Sequence, residues 1–261
     1  IRVFDWGMMG AAWATTLSYG VCASYIIYFF LSGKSLLRPK WDAFVLNSKL
    51  VKEITSLGSV TLVRQAMVSI TVLLVNNILF SFGGESTIAV YAILSRMLMF
   101  ATFPIFGITQ GFLPIAGYNY GAKNWTRVRK VINISIVYAS VLATLVFIFI
   151  LFFAAQIPIL FSKDAVVNAQ TPAALKYVFS ALPIVGIQLI GAAYFQAIGK
   201  ALPALLLTLS RQGLIFIPLL FLFSNYYGVD GVWLAFPIAD LISTLVTAFF
   251  LNRAVRKELF D

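Results

Sequence analysis

A chain of 261 residues that is 61% hydrophobic and 11% charged falls well below the charged share of a soluble domain, about a quarter of residues, and its mean hydropathy of +0.95 makes it an integral membrane protein. Its net charge of +10 is spread between long apolar runs instead of along one polar face, which argues against a nucleic-acid partner. The absence of histidine excludes histidine-based catalytic triads and imidazole metal sites, and a single cysteine, Cys22, excludes an intrachain disulfide.

A membrane-spanning helix needs about 20 mostly apolar residues. In chain order the runs that meet this test are 8–31, 59–82, 86–116, 131–153, 173–198, 203–223 and 229–251. Lipid offers no partner to open backbone groups, and the runs lack the alternation of barrel strands, so all seven are predicted helices of an all-α polytopic membrane protein. Between the first two spans lies a linker, 32–58, in which Phe44, Leu50, Val51, Ile54 and Leu57 recur at helical spacing among charges. An amphipathic helix lying on the membrane surface over Trp41–Leu57 is expected. Pro104 and Gly107 predict a tilt or kink in the long third span.

Lysine and arginine in short loops favour the cytoplasmic side. Lys34, Arg38, Lys40, Lys49 and Lys52 follow the first span; Lys123, Arg127, Arg129 and Lys130 the third; Lys200 the fifth; Arg253, Arg256 and Lys257 the seventh, whereas the opposite connections carry only Lys163 and Lys176. The odd-numbered exits and the tail at 252–261 are therefore expected in the cytoplasm.

Residues 10–31 laid over 231–252 pair Gly10 with Gly231, Ala14 with Ala235 and Phe29 with Phe250 without a gap. A repeat with this offset has a period of six spans, the pattern of transporters built from parallel repeats. Span 8–31 would then close a preceding N-terminal lobe, and 59–251 would form a complete six-helix lobe of a 6+6 arrangement. A chain that starts at Ile1 without methionine fits a fragment whose first half is missing.

Polar groups inside spans are costly and mark candidate pathways. Gln65, Ser69, Val72 and Asn76 fall on one helical face with Asn77 beside it; Arg96 and Gln110 lie in the third span, Gln188 and Gln196 in the fifth. The alternative role for these amides is helix-to-helix bonding. Arg64 and Arg211 are expected to pack, pair or snorkel rather than touch substrate. Asp240 is the one acid well inside a span and the natural candidate for a titrating or cation-binding group.

The stretch "GITQGFLPIAGYNYGAKN", 107–124, passes from an apolar run into Pro114, Gly117, Tyr118, Asn119, Tyr120 and Gly121, a composition that suits a helix stop and hinge at the membrane interface. "GITQGFLPIAGYNYGAKNWTRVRKV" resembles the motif that closes the eighth span of the multidrug and toxic compound extrusion (MATE) antiporters. "YFQAIGKALPALLLTLSRQ", 194–212, is similar to that family's turn between spans ten and eleven, and "LVNNILFSFGG", 74–84, to the end of its seventh. The resemblance implies a twelve-span transporter with two lobes around a central cavity. It further implies export of cationic or amphiphilic drugs against sodium or protons, with no other cofactor, in a bacterial inner membrane. In parts of that family carboxylates on the seventh and tenth spans carry the coupling ion. The matching stretches here, 64–68 and 185–188, hold none, so the coupling acid is expected in the N-terminal lobe.

Four other functions compete. A seven-span retinal protein needs a lysine in its final helix, and 229–251 has none; a small-molecule receptor remains open. A flippase for lipid-linked sugars would call for a cavity rich in arginine and lysine, and the spans hold Arg64, Arg96 and Arg211. An enzyme is disfavoured by the lack of a paired-acid or glycine-flanked serine motif.

Overall fold

The computed structural model describes residues 6–33 and 47–260, and every regular element among them is a helix. The chain divides into two compact units, Ile1–Glu53 and Ile54–Asp261. In the first, α1 runs over Gly7–Leu31, matching the expected span at 8–31. Its Thr15, Thr16 and Ser24 hydroxyls donate to the carbonyls one turn back, at Ala11, Ala12 and Gly20. Each hydroxyl is thereby satisfied within its own helix, as an apolar surrounding demands.

Helix α2 covers Ser48–Gly121. The surface helix expected at Trp41–Leu57 lies partly outside the described residues. From Ser48 onward it is continuous with the following span, with no break at 58. The helix-compatible sequence on both sides of Gly58, with no proline near it, gives the backbone no reason to stop there. The non-helical angles inside α2 lie at Gly84 (φ 69°, ψ −160°), not at Pro104 or Gly107. This conformation is open to glycine and strained for other residues. Thr87 covers the break: its hydroxyl sits 2.9 Å from the carbonyls of both Leu79 and Gly84.

Helix α3 follows at Trp125–Phe153, capped by Asn124, whose side chain accepts from the Arg127 amide. Short α4 (Ile157–Phe161) leads to α5 (Ala165–Val178) and α6 (Leu182–Ala197). These last two meet at a bend of 52° inside the run predicted as one span at 173–198. Helix α7 (Ala201–Leu209) passes into a π-turn at Ser210–Leu214, and α8 (Phe216–Phe260) is broken at Gly228 (φ 59°, ψ −131°). A Cβ at Gly231 would collide with the Phe223 carbonyl, so glycine lets the two arms of α8 close on each other.

Among the described residues, four helical segments are long and apolar enough to cross a membrane, five if α5 and α6 count as one bent span. Two of them, Leu62–Gly121 and Ala201–Arg256, are 60 and 56 residues long. As straight rods they would reach about 85 to 90 Å at 1.5 Å per residue, against a hydrocarbon core of about 30 Å. Gly84 and Gly228 divide them into paired arms. The two breaks are neighbours: a Cβ at Gly83 would lie 3.0 Å from the Val229 side chain, and one at Gly228 3.9 Å from Phe82.

Helix α6 is the centre of the second unit and packs against α3, α7 and α8. Residues Ile190 to Phe195 are all buried. Small residues make this possible: a Cβ on Gly186 would stand 2.9 Å from the Ser140 amide of α3, so the two backbones touch.

Candidate functional site

A cavity of about 300 Å³ opens between both arms of α2, α6, the π-turn and α8. It is at the small end of ligand pockets. Its lining includes aromatic rings: Phe216 and Phe236 pack at a tilt with 4.6 Å between ring centres, and Tyr91 is 6.3 Å from Phe236. It also includes the polar side chains of Arg64, Arg211, Asp240, Gln188 and Gln212.

Arg211 sits on the π-turn. A π-bulge widens the helix by one residue and displaces its backbone bonding, here giving Ile215 N–H to the Ser210 carbonyl at 3.0 Å. The Gln212 carbonyl instead accepts from the Thr71 hydroxyl on the first arm of α2, at 2.7 Å. This cross-helix bond ties two cavity walls together. The bulge also aims the Arg211 guanidinium at α8, where Nε lies 2.6 Å from Asp240 Oδ1 and the side chains are 16% and 12% exposed. Asp240, the candidate titrating or cation-binding acid, is the ion-pair partner of Arg211. A counter-charge at this distance compensates the desolvation that makes a lone carboxylate costly.

Gln188, 2% exposed, donates through Nε2 to the Leu207 carbonyl at 3.2 Å. Its Oε1 is buried and has no partner among the described residues, and the same holds for Gln212 Oε1. Arg64 lines the same cavity, half-buried, with no ion pair among the described residues. Gln196 is exposed at the cavity margin. Of the candidate pathway residues, Gln188, Gln196 and Asp240 therefore meet here.

The others lie elsewhere. Gln65, Ser69, Asn77 and Gln110 are exposed and Asn76 is half-buried, none of them on the cavity wall. Ser69 donates back to the Gln65 carbonyl of its own helix at 3.3 Å. Arg96 places its guanidinium 5.7 Å over the Phe161 ring of α4, a cation–π contact away from the cavity. Sequence reasoning missed Thr71, Tyr91, Ser95 and Gln212. The face Arg64, Val68, Thr71 and Val75 holds fewer polar residues than the face of Gln65, Ser69 and Asn76, so polarity did not single it out.

The stop after the first pair of arms differs from the glycine hinge expected at Gly117 and Gly121. The helix continues through Pro114, Gly117, Tyr118, Asn119 and Tyr120 to Gly121, and the left-handed residue is Lys123, φ 54°. Lys123 N–H bonds the Tyr120 carbonyl and Asn124 N–H the Asn119 carbonyl, the two bonds of a Schellman motif. Asn119, 5% exposed, donates to the Ile115 carbonyl at 2.7 Å, and Tyr120 meets Trp125 edge to face. Gly117 serves close packing instead: a Cβ there would lie 3.1 Å from the Ala197 carbonyl at the end of α6. Helix α6 ends in the same motif with Gly199 (φ 74°) at the left-handed position. The two stops are neighbours. Beside the first, an open depression of about 310 Å³ is lined by Pro114, Ile115, Tyr118, Asn119 and Arg127.

The sequence matches the MatE family model over residues 61–222. It is 25% identical over 242 residues to the multidrug export protein MepA of Staphylococcus saprophyticus, covering 93% of this chain and 53% of that protein. To the MepA of Staphylococcus haemolyticus it is 26% identical over 252 residues, 97% of this chain and 55% of the relative. The chain spans about half the length of these curated relatives. Among solved structures, an outward-facing multidrug resistance MATE family transporter of the MOP superfamily superposes with a TM-score of 0.93 at 25% identity, covering the whole of this chain and 59% of that one. A MOP superfamily transporter from Pyrococcus furiosus, described as having a binding pocket of reverse polarity, superposes at 0.92 with 25% identity over 99% of this chain and 58% of its own.

Proposed function

The chain belongs to the MatE family, and from that premise we propose that it is the C-terminal portion of a secondary multidrug efflux transporter. The observation that carries the reading is the cavity of about 300 Å³ inside a helical unit, lined by aromatic rings together with polar and charged side chains. Amphiphilic compounds suit such a wall: rings stack on Phe216 and Phe236 while polar ends find Gln188, Gln212 and the guanidinium of Arg64.

The two long helices, each divided at a left-handed glycine, count as two spans apiece in this reading. With α1, α3 and the bent α5–α6 pair they make seven, six of them forming one lobe. A second, N-terminal lobe completes the transporter, and rocking of one lobe against the other alternates access in exchange for sodium or protons. The polar stripe of Gln65, Ser69 and half-buried Asn76, with Asn77 beside it, then faces the cleft between lobes, where water or substrate satisfies it. The coupling acid belongs to the N-terminal lobe, because Asp240 is held by Arg211.

The membrane is the bacterial inner membrane, with the tail and the Lys123 to Lys130 loop in the cytoplasm. Neutralising Lys123, Arg127, Arg129 and Lys130 together should disturb insertion, read as protease accessibility of that loop from either side; unchanged accessibility counts against the orientation. The function itself is tested by expressing the full-length gene in bacteria stripped of their own efflux pumps. Tolerance to several structurally unrelated amphiphilic drugs should rise with an intact ion gradient. No gain for any of them overturns the reading.

A further inference from the structure

Resting on the transporter reading, we propose that the cavity of the C-terminal unit is a site for the acidic end of an amphiphile: a carboxylate seated on Arg64, with a neighbouring N–H or O–H donated to Gln188. The charges facing the cavity are two guanidinium groups, Arg64 and Arg211, against one carboxylate, Asp240. The 2.6 Å pairing of Arg211 with Asp240 consumes one of each. What remains is Arg64, a single positive charge with five donors and no acid within reach among the described residues. A cationic ligand is repelled from this wall, and an oxyanion supplies what the guanidinium lacks, in a forked geometry that favours a planar carboxylate.

A second observation points to the same ligand. Gln188 is 2% exposed and its Nε2 is committed to the Leu207 carbonyl. That bond fixes which end of the amide is free. Oε1 is buried and has no partner among the described residues, and the same holds for Oε1 of Gln212, a second residue of the cavity lining. Buried acceptors without donors are rare because leaving one unmade forfeits the desolvation cost of the group. Among the described residues the cavity thus has one cation without an acid partner, Arg64, and two buried acceptors without donors on lining residues, beside aromatic side chains. A ligand that complements it carries an oxyanion, a hydrogen-bond donor and a flat apolar body.

The test uses the purified full-length transporter in detergent and a matched pair of rhodamine dyes, one with its pendant carboxyl free and one with that carboxyl esterified. Fluorescence polarisation should give the free acid an affinity about tenfold or more above the ester, the size of a charge-assisted hydrogen bond. Arg64→Gln should abolish that preference by weakening the acid far more than the ester, while Arg64→Lys keeps part of it, since the charge survives without the fork. The melting curve of Arg64→Gln should overlay the parent, as Arg64 has no ion-pair partner among the described residues. Equal affinity of the parent for both dyes overturns the proposal, and so does an Arg64→Gln variant that loses both dyes alike. Efflux of the dyes from cells is scored separately: an acid preference in the purified protein without efflux sinks the transporter reading and leaves the site standing.

Discussion

Two stripes run along the first arm of α2, one residue apart. Gln65, Ser69 and Asn76 form the more polar one and lie exposed or half-exposed; Arg64, Val68, Thr71 and Val75 form the other, which faces the cavity and the core. A helix turns about 100° per residue, so a shift of one position exchanges a surface for an interior. The richer polar stripe is not the inner one. In a membrane protein polarity alone marks a need for partners, and whether the partner is a neighbouring helix, a ligand or a cleft is set by which face the bundle covers.

The comparison can be broken where the inner set is strongest. Asp240→Asn or Arg211→Gln alone leaves a partly buried charge without its partner and should cost about 3 kcal/mol of stability, read as a thermal shift in detergent. The double substitution should recover most of that loss. If Asp240→Asn instead abolishes efflux at unchanged stability, Asp240 is a coupling acid and the role assigned to its pairing fails.

Thr71→Val comes next: it strips the Gln212 carbonyl of its donor across helices, and a loss of about 1 kcal/mol is expected in the same assay. Gln188→Leu loses the bond to Leu207 but also removes an unpaired acceptor. These oppose each other, and the net change should stay within about 1 kcal/mol while ligand affinity falls.

The smallest stability effect belongs to the outer stripe. Gln65→Ala, Ser69→Ala and Asn76→Ala, singly, should each stay within about 0.5 kcal/mol, as surface changes do, yet lower drug efflux if the stripe lines a cleft. A destabilisation as large as that of the Arg211–Asp240 pair would erase the distinction between the two stripes.

Much of the helical layout was legible because hydrophobic length is a one-dimensional property. The runs at 8–31 and 131–153 reappear in α1 and α3, and the breaks near 84 and 228 fall where the apolar runs were separated. The family motifs at 107–131 and 194–212 were legible as patterns, but their roles were misread in part. Gly117 carries the look of a turn and works as a contact with the Ala197 carbonyl, while Lys123, a residue with no turn signature, takes the left-handed angles. A Schellman stop is dictated by where the helix must end for its neighbour to pack, and a lysine tolerates that geometry at modest strain.

Composition and periodicity by themselves determined that this protein is helical and lives in a bilayer, since lipid accepts no other arrangement of open backbone groups for such runs. The tertiary structure decided which polar residues meet. Arg211 and Asp240 are 29 positions apart, and Thr71 and Gln212 141 apart. No local pattern couples such positions. Their pairing follows from a one-residue bulge in one helix and from the rotation of another about its own axis, and packing of the assembled bundle fixes both.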